Sequence, residues 1–304
     1  MRPVTPFMAI RKALVSVPVT PFCRTGSISR TPPGNPVPMK LAFSTLGVPG
    51  MPLPEVARLA HAHGYDGVEL RAHPEEPLHP GTGPRERAGA VAAFAAAGVE
   101  ILGVAGYVRV ASPEPDEAVF DALNGLIRLA ADVGARYARV FPGGADRPAA
   151  EADADAARRL GAVAPLAADL GVHVLLETHD SHRRARDVAR VLGPVGHPNV
   201  GALWDVLHTW LGGETPAVSF PALAPHLGYV QLKDVASPDD TAPLPLGTGV
   251  LPLGGCVDVL GRAGWDGWLC WEYERRWHPE AADFAQLMGP GRAYVEGLLS
   301  GAAP

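Results

Sequence analysis

Four polar side chains interrupt short apolar runs at intervals of about one strand-and-helix unit. They are Glu177 in HVLLETH, Asp205 in NVGALWD, Gln231 in YVQLKD and Glu272 in WLCWEYE, separated by 28, 26 and 41 residues. An ionised carboxylate is rarely buried without a partner, because desolvation disfavours its charged form. Three carboxylates and one amide oxygen, each closing its own strand, make a donor set suited to one divalent cation. Parallel strands arranged as a barrel would bring those strand ends to a single mouth.

Side chains two apart on a strand share a face. Glu177 therefore points with His179, Gln231 with Lys233, Leu203 with Asp205, and Cys270 with Glu272 and Glu274. Glu69 and Arg71 share a face on an earlier strand, in GVELRA.

The elements that must position these groups alternate from residue 39 onward. Strands are expected at 40–45, 67–72, 100–107, 135–142, 173–179, 199–205, 229–234 and 268–274. Helices are expected at 53–64, 84–97, 116–133, 150–170, 183–193, near 218–227, 254–263 and 283–299. Apolar strands alternating with amphipathic helices imply a parallel sheet. Eight such units are the pattern of an α/β (β/α)8 barrel, here in one domain over 39–304. No GxGxxG opens a helix after the first strand, which weakens an open dinucleotide-binding sheet. The turns AHGYDG, AAGVE, DVGAR, DLGVH and RAGWDG place a glycine where each helix needs a residue tolerant of positive φ.

Residues 1–38 differ. TGSISRTPPGNPVP is rich in Pro, Gly and Ser and reads as a disordered extension, so Met39 is a second candidate start. The 304 residues carry a net charge of −6 and are 47% hydrophobic, enough for one large core and unlike a nucleic-acid or anionic-membrane partner. Three cysteines form no CxxC pair and no Cys/His cluster, so no disulfide framework is indicated and a reducing cytoplasm is expected.

ETH, then WDVLH, then QLKD, a GxG loop and WEYE resemble the xylose-isomerase-like barrel superfamily of sugar isomerases and epimerases; GYDGVELR resembles the same family. The resemblance spans roughly 40–275. It implies one divalent metal held by Glu177, Asp205, Gln231 and Glu272. The family usually has His where this chain has Gln231, and a GEG loop where it has Gly247, Thr248 and Gly249. Three carboxylates and an amide favour Mn²⁺ or Mg²⁺ over Zn²⁺ or Co²⁺.

The resemblance also implies a reaction: isomerisation or epimerisation of a small carbohydrate or keto-acid through a metal-stabilised enediolate, with Glu177 and Glu272 as base and acid. His179, His208, Glu69, Arg71 and Lys233 would then hold the substrate, His208 from the loop leaving the sixth strand. A polyol or keto-acid is the expected partner, and self-association is compatible with the fold. An inosose-type dehydratase and a non-catalytic sugar-binding relative are the alternatives. An abasic-site endonuclease would need further metal-binding histidines and a basic groove.

Overall fold

The computed structural model describes residues 39–301; the expected disordered extension over 1–38 lies outside them. Eight parallel strands close into a barrel, each bonded to its neighbours in chain order and the first to the eighth. They are β1 (Lys40–Ser44), β2 (Gly67–Arg71), β3 (Glu100–Arg109), β4 (Tyr137–Phe141), β5 (His173–Glu177), β6 (Val200–Asp205), β7 (Leu227–Leu232) and β8 (Trp268–Trp271). Around them run α1 (Leu53–Ala62), α2 (Pro84–Ala97), α3 (Asp116–Asp132), α4 (Ala149–Asp169), α5 (Ala185–Val195), α6 (Val206–Leu211), α7 (Pro216–Leu223), α8 (Leu253–Arg262) and α9 (Phe284–Leu299).

Alternation along the strands divides the apolar residues into two clusters. The larger lies between barrel and helices and includes Phe43, Leu70, Val140, Leu176, Trp204 and Trp271. The smaller fills the barrel with Ala42, Leu102, Tyr137, Leu175, Leu203, Tyr229, Trp268 and Cys270. Trp268 fits because Gly67 faces it: a Cβ there would come within 2.7 Å of the indole ring. The five expected glycine turns are present, with φ of +71° at Gly64, +68° at Gly98, +70° at Gly134, +69° at Gly171 and +66° at Gly264.

The strand boundaries differ from the sequence expectation by one to three residues. β5 stops at Glu177 and β8 at Trp271, two and three residues before the expected ends. Glu272 still donates its backbone N–H to Leu232 O at 2.8 Å, so it is anchored at the ladder's last rung. The segment after β6 is the helix α6, so His208 is helical instead of lying in a loop. Asp205 starts that helix: its Oδ1 accepts from the N–H of Leu207 at 2.8 Å and of His208 at 3.4 Å.

Candidate active site

Because all eight strands run the same way, their C-terminal ends share one end of the barrel. Above the apolar interior the same inward columns turn polar. Leu175 is followed by Glu177 and His179, Leu203 by Asp205, Tyr229 by Gln231 and Lys233, and Cys270 by Glu272 and Glu274. The period of two puts every second side chain on the axis, and the change from apolar to polar marks the mouth.

Glu177, Asp205, Gln231, Lys233 and Glu272 are all buried. Lys233 is the hub of one half. Its Nζ lies 2.8 Å from Asp205 Oδ2 and 2.7 Å from Glu274 Oε1, and it also pairs with Glu272 Oε2. Arg139 of β4 is the cation of the other half, with Nε 3.1 Å from Glu177 Oε2. His179 and His208 pack with their rings tilted by 54° and centroids 4.0 Å apart, and His208 Nε2 is 3.8 Å from Asp205 Oδ2.

Beneath them, Glu69 is fully buried and accepts from Tyr229 Oη and, at 3.0 Å, from Gln231 Nε2. Gln231 Nε2 also donates to Glu272 Oε1 at 3.0 Å. Two carboxyls thus claim both amide hydrogens, and the carbonyl oxygen is turned the other way. That oxygen, Gln231 Oε1, is buried without a hydrogen-bond partner, as is Glu69 Oε1, whereas Glu177 Oε2 faces Arg139 and Asp205 Oδ2 faces Lys233. An unsatisfied amide oxygen set among buried carboxylates of neighbouring strands fits a cation, since buried acceptors are otherwise satisfied. Glu177, His179 and His208 also offer ligand atoms within 4.8 Å of one another, a second arrangement able to hold a metal.

Proton affinities at the mouth separate into two groups. Burial pushes Glu272 up to about 8 against the opposing pull of Lys233, and burial raises Glu177 well above the usual carboxylate range despite Arg139. Asp205 and Glu274 move the other way: burial opposes their charge, but Lys233 prevails and holds both below their ordinary values. Burial lowers His208 to about 4, so its imidazole is neutral at neutral pH. A carboxyl that burial brings to titrate near neutral pH, as at Glu272, is suited to give or take a proton there.

Arg71 is buried at the edge of the mouth. It donates from Nη1 to Glu76 at 2.7 Å and from Nε to Tyr107 Oη at 2.6 Å, beneath the half-exposed Trp277 at 5.2 Å. Trp277 therefore walls the rim, whereas Trp210 packs against the core. Asp234 anchors the loop holding Gly247 and Gly249, accepting from both N–H groups at 2.9 Å. Among described residues, Arg139 is the mouth group that the sequence reading leaves out. It lies two beyond the interior Tyr137 in ARYARVFP, so the same alternation would select it.

Residues 57–294 match the family described as xylose isomerase-like TIM barrel. The chain belongs to that family. A Streptomyces coelicolor protein named as a hydroxypyruvate isomerase is 38% identical over 106 residues, 35% of this chain and 36% of that one. The aligned stretch thus spans about a third of that relative's length. The 3-dehydroshikimate dehydratase of Bacillus anthracis is 25% identical over 192 residues, 61% of this chain and 67% of its own. Among solved structures of the same fold, the IolI protein with a bound zinc atom superposes with a TM-score of 0.73 at 16% identity, covering 86% of this chain and 99% of its own. Members of the family so named include isomerases and a dehydratase. No helix among the described residues is long and apolar enough to cross a membrane.

Proposed function

We propose that this chain is a divalent-metal-dependent isomerase or epimerase of a small hydroxylated ketone or keto-acid, with Glu177 and Glu272 as the proton-transferring pair. The observation that carries the reading is the pair itself. Two buried carboxyls on one mouth both have raised proton affinity, beside buried oxygens with no hydrogen-bond partner. Glu177, Asp205, Gln231 and Glu272 would hold the cation, which would share the Asp205 and Glu272 carboxylates with the Lys233 ammonium now paired to them. When bound, it would polarise a substrate carbonyl and acidify the adjoining C–H.

The chain's own groups account for the rest. One of the two carboxyls takes a proton from the carbon beside the carbonyl. The other returns a proton, to the opposite face of that carbon in an epimerisation or to the carbonyl carbon in an isomerisation. Asp205 and Glu274, kept ionised by Lys233, hold that ammonium in place. His208, neutral at working pH, and His179 hydrogen-bond substrate hydroxyls. Glu69 fixes the Gln231 amide from below, so it supports a ligand instead of lining the pocket. Arg71 and Trp277 bound the far rim.

A second reading of the metal comes from Glu177, His179 and His208. Imidazoles suit zinc, whereas the oxygen set favours Mn²⁺ or Mg²⁺. Metal analysis of protein purified without chelator separates the two. A dehydratase is the alternative reaction, since loss of a hydroxyl starts from the same proton abstraction. The deciding experiment incubates metal-loaded protein with ketoses, inososes and hydroxypyruvate in ²H₂O. Deuterium at the carbon next to the carbonyl, with the hydroxyl retained, supports the isomerase reading. Loss of the hydroxyl supports the dehydratase, and no exchange with any compound removes the proton-transfer role.

A further inference from the structure

Arg139 is the mouth residue that the proton transfer leaves unexplained. Its side chain is 2% exposed, and Nε faces Glu177 Oε2 at 3.1 Å, yet Nη1 is buried without a hydrogen-bond partner. Arg71, on the same mouth, uses Nε and Nη1 on Tyr107 and Glu76. The Arg139 guanidinium lies over Phe141, 4.0 Å from its ring centroid, and 5.6 Å from that of Tyr107. Phe141 in turn packs on His179 at 4.3 Å. The unfilled Nη1 thus belongs to a guanidinium packed on aromatic rings, beside the carboxyl that moves the proton.

Buried donors are almost always satisfied, and a guanidinium most of all. What completes Arg139 must bring acceptors from outside the chain. A planar carboxylate matches the fork of a guanidinium with two parallel hydrogen bonds. A hydroxyl offers one acceptor and no charge. A phosphate would bring close to two negative charges towards Glu69, Glu177 and Glu272, the acids whose fields already converge on Arg139.

We propose that Arg139 binds a carboxylate of the substrate, which makes the substrate a hydroxylated keto-acid and not a neutral ketose. This rests on reading the mouth as a proton-transfer site and names the substrate class of that site. Arg139 sets specificity, and Phe141 and Tyr107 keep its guanidinium flat and dry.

Matched ligands test it. Hydroxypyruvate and dihydroxyacetone differ by a carboxylate in place of a hydroxymethyl group, and so do glycerate and glycerol. Calorimetric titration of Mn²⁺-loaded protein should show the charged member of each pair binding roughly tenfold or more tighter. Arg139→Gln should bring each pair to near parity while circular dichroism stays unchanged. Arg139→Lys keeps the charge without the fork, so its preference should fall severalfold and survive in part; it carries the comparison should the Gln variant unfold. No preference in either wild-type pair overturns the proposal. So does a preference that persists in both variants, or tighter binding of dihydroxyacetone phosphate than of hydroxypyruvate. Deuterium exchange reads the underlying function separately. Exchange into neutral ketoses without a carboxylate preference removes the Arg139 assignment and leaves the proton chemistry. A carboxylate preference without exchange into any compound does the reverse.

Discussion

Arg159 and Arg139 are both buried arginines in a barrel of apolar strands, and they are treated in opposite ways. Arg159 of α4 spends its donors on the chain: Nε to Asp116 Oδ1 at 2.9 Å, Nη1 to Val110 O at 3.0 Å and Ser112 O at 2.8 Å, and Nη2 to Glu114 O at 2.7 Å. Those contacts stitch the whole β3–α3 connection to the neighbouring helix. Arg139 of β4 meets one carboxylate oxygen, Glu177 Oε2, and leaves Nη1 unfilled. A saturated guanidinium stabilises a loop, whereas an unsaturated one awaits a ligand. The mouth follows the second pattern at Gln231 Oε1 and Glu69 Oε1, both buried without a hydrogen-bond partner. Damage to the first region should therefore appear as lost stability, and damage to the second as lost binding or chemistry.

The largest expected effect is chemical. Glu272→Gln removes one member of the proton-transferring pair and should lower turnover by about 10²–10⁴-fold, with the melting temperature near that of wild type. Wild-type turnover in that variant would take Glu272 out of the acid–base role. Arg159→Leu is the thermal counterpart. It removes the Arg159 donor from the carbonyls of Val110 and Glu114, Ser112 O keeping Arg147, and should cost about 2–3 kcal/mol in denaturant unfolding, while folded protein keeps its ligand preference. A loss under about 1 kcal/mol, the scale of a typical surface change, would show that the clasp is not structural.

Glu69→Gln tests the support beneath the mouth. The replacement amide gives Gln231 a partner in either orientation, so its carbonyl is no longer forced outward, and metal affinity should fall about 10–100-fold. Titration calorimetry with Mn²⁺ reads this without turnover, and unchanged affinity would separate Glu69 from ligand orientation. At the bottom of the scale is the exposed pair Arg262 and Asp258 on α8. Arg262→Ala should move stability by no more than about 0.5 kcal/mol. A larger shift there would undermine the division into saturated and unsaturated sites.

Much of this was legible in the residues. The eight strand and helix spans agree with the sequence pattern to within a few positions, because apolar period and helix-ending glycines are local signals. Glu177, Asp205, Gln231 and Glu272 stand out because each breaks an apolar run. The helix α6 is not visible in the same way. It has six residues, and Asp205, read as a ligand, is also the cap that starts it. Arg139 breaks the run on β4 by the same rule, but a reading centred on β5 to β8 names no residue there.

What the sequence determined alone is which side chains face the axis. Pleating alternates them regardless of what lies across the barrel, so the columns ending in Glu177, Asp205, Gln231 and Glu272 follow from spacing. Only closure of the barrel decided the pairings. Lys233 meets Asp205 and Glu274, Arg139 meets Glu177, and Glu69 turns the Gln231 amide. These contacts join residues far apart in the chain, and whether a buried donor is filled depends on distances that exist once the ring is shut.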